Sequence, residues 1–370
     1  MEVKMSWSGV KIKDIAKTQG ISIIEIASQI GVSRQTVNDW IKGQIPKGNH
    51  LLSIAKILNT SPNSFFQMDL YDDIIIPLHR QRKKSRITDK VQQKSLELAA
   101  EYKLFFTNNA APSIIPVIRM PGNNLPEAKI IANQLRNSLG STSIFPITYH
   151  QTFQLLKSLG IYVIFQNFPA DIKSYAFYTK IMGNRVVFVN NSTNIIDLIF
   201  PLLHEAIHAM RDEVVPDNGY DELEEKLCDE IASYIQFTDE YVKLVYDTLV
   251  DLPKSTQLKK IKNFGKQYSH SLFGIVKRIK KTDKEFLLDV GGADTNLKKE
   301  FTSIGNLLNS CTTPGKYISL LENLSPLFIS SLCKQVENIS DRKLSFLLGL
   351  ENSLDIIEIR KELTNLCQPV

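Results

Sequence analysis

Cysteine is scarce and scattered: the four residues Cys228, Cys311, Cys333 and Cys367 form no C-x-x-C pair in a chain of 370. That spacing excludes a zinc ribbon and offers no disulfide framework, so reduced and mostly buried thiols are expected. Long apolar runs are missing too. The most apolar stretch, Ile195 to Met210, is broken by Asp197, His204 and Glu205 and is too short to span a bilayer. Met1 to Lys17 mixes charged with apolar residues and has neither a signal-peptide hydrophobic region nor a cleavage site. No membrane partner is therefore expected, and the location implied is cytoplasmic. Internal repeats and low-complexity tracts are absent. Hydrophobic content of 43% with 22% charged residues excludes wholesale disorder. A net charge of +5 permits nucleic-acid binding without demonstrating it.

What is present divides along the chain, and its length allows two or three folded units. Residues 10 to 66 read as short helices punctuated by Gly20, Gly31, Gly43 and Pro62. The apolar patch Ile74 to Ile76 and the basic run His79 to Arg86 then mark a boundary, the run being read as a solvated linker face. Residues 88 to 106 have helical spacing, and Ala110 to Pro126 is a connector rich in proline and asparagine. Helices are predicted over Glu127 to Leu139 and Thr148 to Leu159. A strand follows from Ile161 to Phe165, then a strand pair, Ser174 to Thr179 and Arg185 to Asn190, joined by Met182-Gly183-Asn184. Beyond residue 245 the text is amphipathic and helical, basic between Lys254 and Lys281, with a turn at Gly291-Gly292 and no visible chemistry. The expected division is 1–70, a linker over 71–115 carrying the basic run and a helix, 116–245, and 246–370. The fold class is multidomain and mainly α: an all-α domain, an α+β domain with a small sheet, and a helical C-terminal region.

The chemistry centres on His204-Glu205-Ala206-Ile207-His208, an H-E-x-x-H inside an apolar helical pattern. Residues four apart share a helix face, so both imidazoles can reach one Zn2+ while Glu205 approaches its bound water. Glu205 then serves as the general base for attack on a polarised peptide carbonyl. A third ligand is required, and Glu225, one turn before Asp229 on a second helical stretch, is the choice, with Asp229 orienting a ligand imidazole. The competing reading is a pair of satisfied core histidines. Only six histidines occur in the chain, and two fall at this spacing with an E-x-x-x-D helix soon after.

With these residues in place, residues 127 to 245 resemble the ImmA/IrrE family of metallopeptidases, in which helix, helix, strand and a hairpin ending in asparagine precede the H-E-x-x-H helix. Asn190 and Glu225-Lys226-Leu227-Cys228-Asp229 match that pattern. The resemblance implies a zincin-like domain, Glu225 as metal ligand, Glu205 as base, and a repressor or antitoxin-like protein as substrate. Departures are Ala206-Ile207 after the glutamate, Gln236-Phe237 where the family has Met-Pro, and Pro201 within the metal helix, which places the helix start near that proline. In such sites a strand beside the cleft pairs with substrate, for which Val186 to Val189 is the candidate, and a tyrosine, Tyr175 or Tyr178, can steady the oxyanion.

Upstream, Ile23 to Gly43 has the cadence of a helix-turn-helix: Ala27 permits close packing, Gly31 the turn, Ser33 caps the second helix, and Val37 with Trp40 or Ile41 faces the core. Residues 9 to 67 resemble the Xre/Cro phage-repressor domain. That implies a DNA operator as partner, Arg34 and Gln35 at base edges, Asn38 or Asp39 a turn later, Thr36 at base or phosphate, and Lys42 with Lys47 at phosphates. Eight Lys or Arg against four Asp or Glu in residues 1 to 60 suit DNA. The combined expectation is a DNA-binding regulator, open to homodimer formation, with a zinc endopeptidase. The alternatives are a protein-binding helix-turn-helix module, a non-proteolytic regulator with a structural metal, or a toxin–antitoxin component.

Overall fold

Ser22 and Ser33 set the first local structure, because each turns its hydroxyl onto a backbone N–H at the start of a helix. The computed structural model describes residues 5–68, 74–75, 89–107, 117–119, 125–141, 143–212, 222–350 and 356–367. The basic run at 79–86 and most of the connector at 110–126 lie outside these. The chain forms two compact units, Met1–Asp72 and Asp73–Val370.

In the first unit, α1 (Val10–Gln19), α2 (Ile23–Ile30), α3 (Arg34–Ile41) and α4 (Gly48–Ile57) surround a core of Ile12, Ile26, Val37, Trp40, Ile54 and Phe65. Ser22 and Glu25 complete a reciprocal capping box on α2. Gly31 ends that helix at φ 79°, a left-handed conformation that glycine adopts without strain. Gly9 is required for another reason: a Cβ there would lie 1.8 Å from the Trp40 carbonyl oxygen. The unit is not purely helical, as the sequence reading expected. Strands β1 (Met5–Trp7) and β2 (Phe66–Met68) pair antiparallel and tie its two ends together. Three-residue strands so far apart in sequence leave no alternation to read.

The second unit is built on a four-stranded mixed sheet of order β3-β5-β6-β4, from β3 (Ile74–Ile75), β4 (Tyr162–Gln166), β5 (Ala176–Ile181) and β6 (Asn184–Asn190). β4 runs parallel to β6, and the other pairs are antiparallel. Met182 and Gly183, at φ 50° and 77°, close a two-residue hairpin of the type that matches strand twist. Helices α5 (Asp89–Ala100), α6 (Lys103–Thr107), α7 (Leu125–Ser138) and α8 (Tyr149–Ser158) come before or between the strands. The long helix α9 (Ile195–Arg211) packs on β5 and β6, with α10 (Glu222–Gln236) wedged between α7 and α9.

The sequence-based divisions after 115 and 245 do not separate compact units. β3 pairs with β5, and Tyr102, Phe105 and Phe106 share one hydrophobic core with the sheet. The helices α15 (Ile304–Asn309), α16 (Pro314–Leu324), α17 (Pro326–Cys333), α18 (Asp341–Leu348) and α19 (Ile356–Cys367) enter that same core. Between them, α11 (Asp239–Leu249), α12 (Lys254–Tyr268), α13 (Leu272–Thr282) and α14 (Gly291–Lys298) enclose a second core, to which α9 contributes Ile196. The expected turn at Gly291-Gly292 is the start of α14.

Two further expectations change. Pro201 lies inside α9 rather than at its start, because Asn194 caps the helix seven residues earlier. Cys333 and Cys367 are joined in a disulfide at a Cα separation of 5.6 Å, where α17 and α19 meet, while Cys228 and Cys311 are free. Helix packing brings the pair together over 34 residues, which spacing alone does not reveal. Among the described residues no helix is long and apolar enough to cross a membrane.

Candidate metal centre and DNA-reading helix

His204 and His208 project from one face of α9, and their Nε2 atoms lie 3.0 Å apart. α10 packs along that face and brings Glu225 to both: Oε2 is 3.4 Å from His204 Nε2, and Oε1 is 3.2 Å from His208 Nε2. The spacing fits zinc. A tetrahedral ion with ligands at 2.0–2.1 Å sets its donor atoms roughly 3.3 Å apart, inside the observed spread. The donor set also fits, since two nitrogens and a carboxylate leave a fourth position open for chemistry. His204 and Glu225 are nearly buried, at 4% and 7% exposure.

Charge points the same way. Burial opposes a positive charge on His204, but the adjacent carboxylates of Asp229 and Glu225 outweigh it and raise the imidazole pKa to about 10. Burial likewise opposes ionisation of Glu225, and the two imidazoles overcome it, holding the carboxyl at about 2. The cluster is thus tuned to hold positive charge. A second grouping, His208, Glu224 and Cys228, also has converging donors. It is the poorer metal site, because Arg211 grips both Glu224 oxygens and burial pushes the Cys228 thiol up, away from the thiolate a metal needs.

The expected supporting role of Asp229 has a geometry: Oδ1 lies 3.2 Å from His204 Nδ1. Its Oδ2 is 3.2 Å from Lys277 Nζ on α13, so a residue from the C-terminal region steadies the carboxylate that faces His204. The sequence reading missed Lys277, and no local signal marks it among its basic neighbours. For His208 the neighbour at Nδ1 is the Cys228 sulfur, 3.6 Å away.

Glu205, beside His204, is 7% exposed, and burial raises its carboxyl pKa. Its Oε2 accepts the Tyr178 backbone N–H at 2.9 Å. This contact identifies the strand beside the site. The Asn190 N–H donates to the Tyr175 carbonyl at 2.9 Å, so alternation turns the backbone groups of Ala176 and Tyr178 away from β6, toward the side of β5 on which β3 pairs at Lys180 and Ile181. Val186 to Val189, the expected substrate strand, belongs to β6 and is paired on both sides by β5 and β4. Tyr178 is removed as an oxyanion donor, since its hydroxyl is buried and donates to Asp212 at 2.7 Å. Tyr175 remains at the cleft.

That cleft, about 380 Å³, opens beside His204 and Glu205. One wall comes from Ser174 to Ala176 and α9, the other from α10 and α13. Gln236 and Phe237, where the sequence departs from the resembled family, both line it.

In the first unit, Ser33 caps α3 through the Thr36 N–H at 3.0 Å, and its hydroxyl is also 2.9 Å from that of Thr36. Thr36 is therefore engaged locally. Arg34, Gln35 and Lys42 are exposed, with Asn38 and Asp39 half-buried. The Gln35 amide donates to Asp39 Oδ1 at 2.8 Å, a one-turn bond that fixes its direction. Val37 and Trp40 are the core-facing residues of α3.

Residues 12–65 match the helix-turn-helix family of protein domains. The chain therefore carries a helix-turn-helix domain there, the architecture that presents its second helix to the DNA major groove. No curated protein matches the chain.

Proposed function

We propose that the protein is a DNA-binding regulator whose second unit is a zinc-dependent endopeptidase. The observation that carries this reading is the meeting of His204, His208 and Glu225 at 3.0–3.4 Å, with Glu205 next to them at an open cleft. Zinc in that position supplies a Lewis acid that polarises a carbonyl and acidifies water. Glu205 is held by the Tyr178 N–H through one oxygen, leaving the other to accept a proton. Its raised pKa suits a group that takes up a proton and returns it to a leaving amine. Among the described residues β3 covers β5 only at Lys180 and Ile181, and the backbone groups of Ala176 are the candidate edge for an extended chain. Resemblance to the ImmA/IrrE family supports a repressor or antitoxin-like protein as substrate, with the helix-turn-helix recruiting the activity to an operator.

The test has two parts. Gently purified protein should contain one zinc per chain by elemental analysis, and His208→Ala should lose it. Glu205→Gln should retain zinc while cleavage of a repressor substrate falls by about 10²–10⁴-fold. Protein free of transition metal, or full cleavage by Glu205→Gln, would overturn the reading. For the DNA part, Arg34→Ala with Gln35→Ala should remove operator preference in footprinting and leave zinc content unchanged. An unaltered footprint counts against this docking.

A further inference from the structure

The cleft beside the metal centre has polar atoms that the fold itself leaves unanswered. Ser174 and Gln236 are each 3% exposed, and among the described residues Ser174 Oγ and Gln236 Oε1 have no hydrogen-bond partner. Both residues line the cleft, together with the rings of Phe200, Phe237 and Phe273. Buried polar groups are normally paired, and these two atoms are shielded from solvent in the unliganded fold, so a ligand in the cleft would complement them after a small rotation of each side chain. Phe273, on α13, is 54% exposed despite its size, and it faces this opening.

Shape and charge narrow the ligand. A Cβ on Gly274 would come within 2.9 Å of the Phe237 ring, so glycine lets α13 approach α10 closely enough to form the wall. The two lysines of the cleft are already matched: Lys277 pairs with Asp229, and Lys298 with Asp197 and Asp294. An acidic side chain would find no unpaired cation there, and a basic one would meet the lysines. What fits is a neutral aromatic group with a polar tip. Aromatic rings favour another ring, and a phenol both donates and accepts, so it satisfies the Gln236 amide in either orientation and Ser174 as well.

We propose that this cleft is the side-chain pocket for a substrate tyrosine, its ring among Phe200, Phe237 and Phe273 and its hydroxyl bonded to Gln236 with Ser174 alongside. This rests on the peptidase reading of the adjoining site. The C-terminal region then has a function that its sequence did not show, since α13 supplies one wall of the specificity pocket.

The experiment is a titration of the full chain with N-acetyl-tyrosinamide and N-acetyl-phenylalaninamide, followed by ligand-observed NMR. Tyrosinamide should bind about threefold to tenfold more tightly, the worth of one hydrogen bond between neutral groups. Gln236→Leu should abolish that preference by weakening tyrosinamide alone, and Phe273→Ala should weaken both ligands. Should Gln236→Leu fail to fold by circular dichroism, Ser174→Ala replaces it, with a reduced preference expected. Equal affinity for the two amides, no binding of either, or a preference untouched by these variants overturns the proposal. Neither cleavage nor zinc is read here. A failed titration beside one zinc per chain and Glu205-dependent cleavage would sink the tyrosine pocket and spare the peptidase, and the reverse pattern would do the opposite.

Discussion

Glu205 shows how one side chain serves two structures, because the bond from the Tyr178 N–H places the carboxylate and also occupies part of the strand edge beside it. Asp229 plays the comparable part for His204, with Lys277 behind it. Removing the charge while keeping the shape tests that role. Asp229→Asn is expected to weaken zinc binding by about 10- to 100-fold in competition with a chelator, without loss of secondary structure. Zinc affinity equal to wild type would mean that Asp229 only pairs with Lys277. The approach of Glu225 to the two histidines was legible from the spacing of E-x-x-x-D after the histidine helix. Lys277 was not, since only packing of α13 against α10 brings it to Asp229.

Several helices in this protein begin where short polar residues reach backbone N–H groups, and such starts can be read locally. Ser22, Ser33, Thr148 and Thr238 each cap the helix that follows. The close approach of α1 to α3 is different, because it depends on what Gly9 lacks. Gly9→Ala would drive a methyl group into the Trp40 carbonyl, which also accepts the Trp7 indole N–H at 3.0 Å. The expected cost is at least about 2 kcal/mol of stability in the first unit. Both tryptophans of the chain lie in that unit, so intrinsic fluorescence during urea unfolding follows it selectively. An unchanged midpoint would show that the contact relaxes without cost.

At the scale of the second unit, the buried pair Tyr241 and His270 ties α11 to the start of α13. The Ser271 carbonyl can only accept, so His270 Nδ1 carries the proton and Nε2 accepts the Tyr241 hydroxyl at 2.7 Å. Burial lowers the His270 pKa to about 4, with the Ser271 carbonyl and Asp294 opposing in part. The folded state therefore binds fewer protons than the unfolded chain, whose imidazole titrates near 6.5. The stabilisation is present above that value and is lost as pH falls toward 4. Relative to His270→Gln, the wild type should lose about 2 kcal/mol of unfolding free energy between pH 7 and 5. A parallel pH dependence in the two proteins would contradict this. Shared cores give a second expectation: a fragment of residues 116–245 lacks the α15 to α19 side of its core and should fail to fold, as judged by its amide NMR dispersion. The disulfide adds a third. Without reductant, unfolded protein should titrate two thiols, Cys228 and Cys311, rather than four.

The sequence by itself determined the helix-turn-helix, the histidine pair and the order of helices and strands around it, because caps, turns and helical periodicity act over a few residues. Tertiary structure decided which strand edge faces Glu205, that Cys333 meets Cys367, and that helices beyond residue 245 complete both the core and the cleft. Those outcomes arise from apolar faces burying one another across separations that run from tens of residues to well over a hundred, and such burial is satisfied by shape rather than by any local pattern.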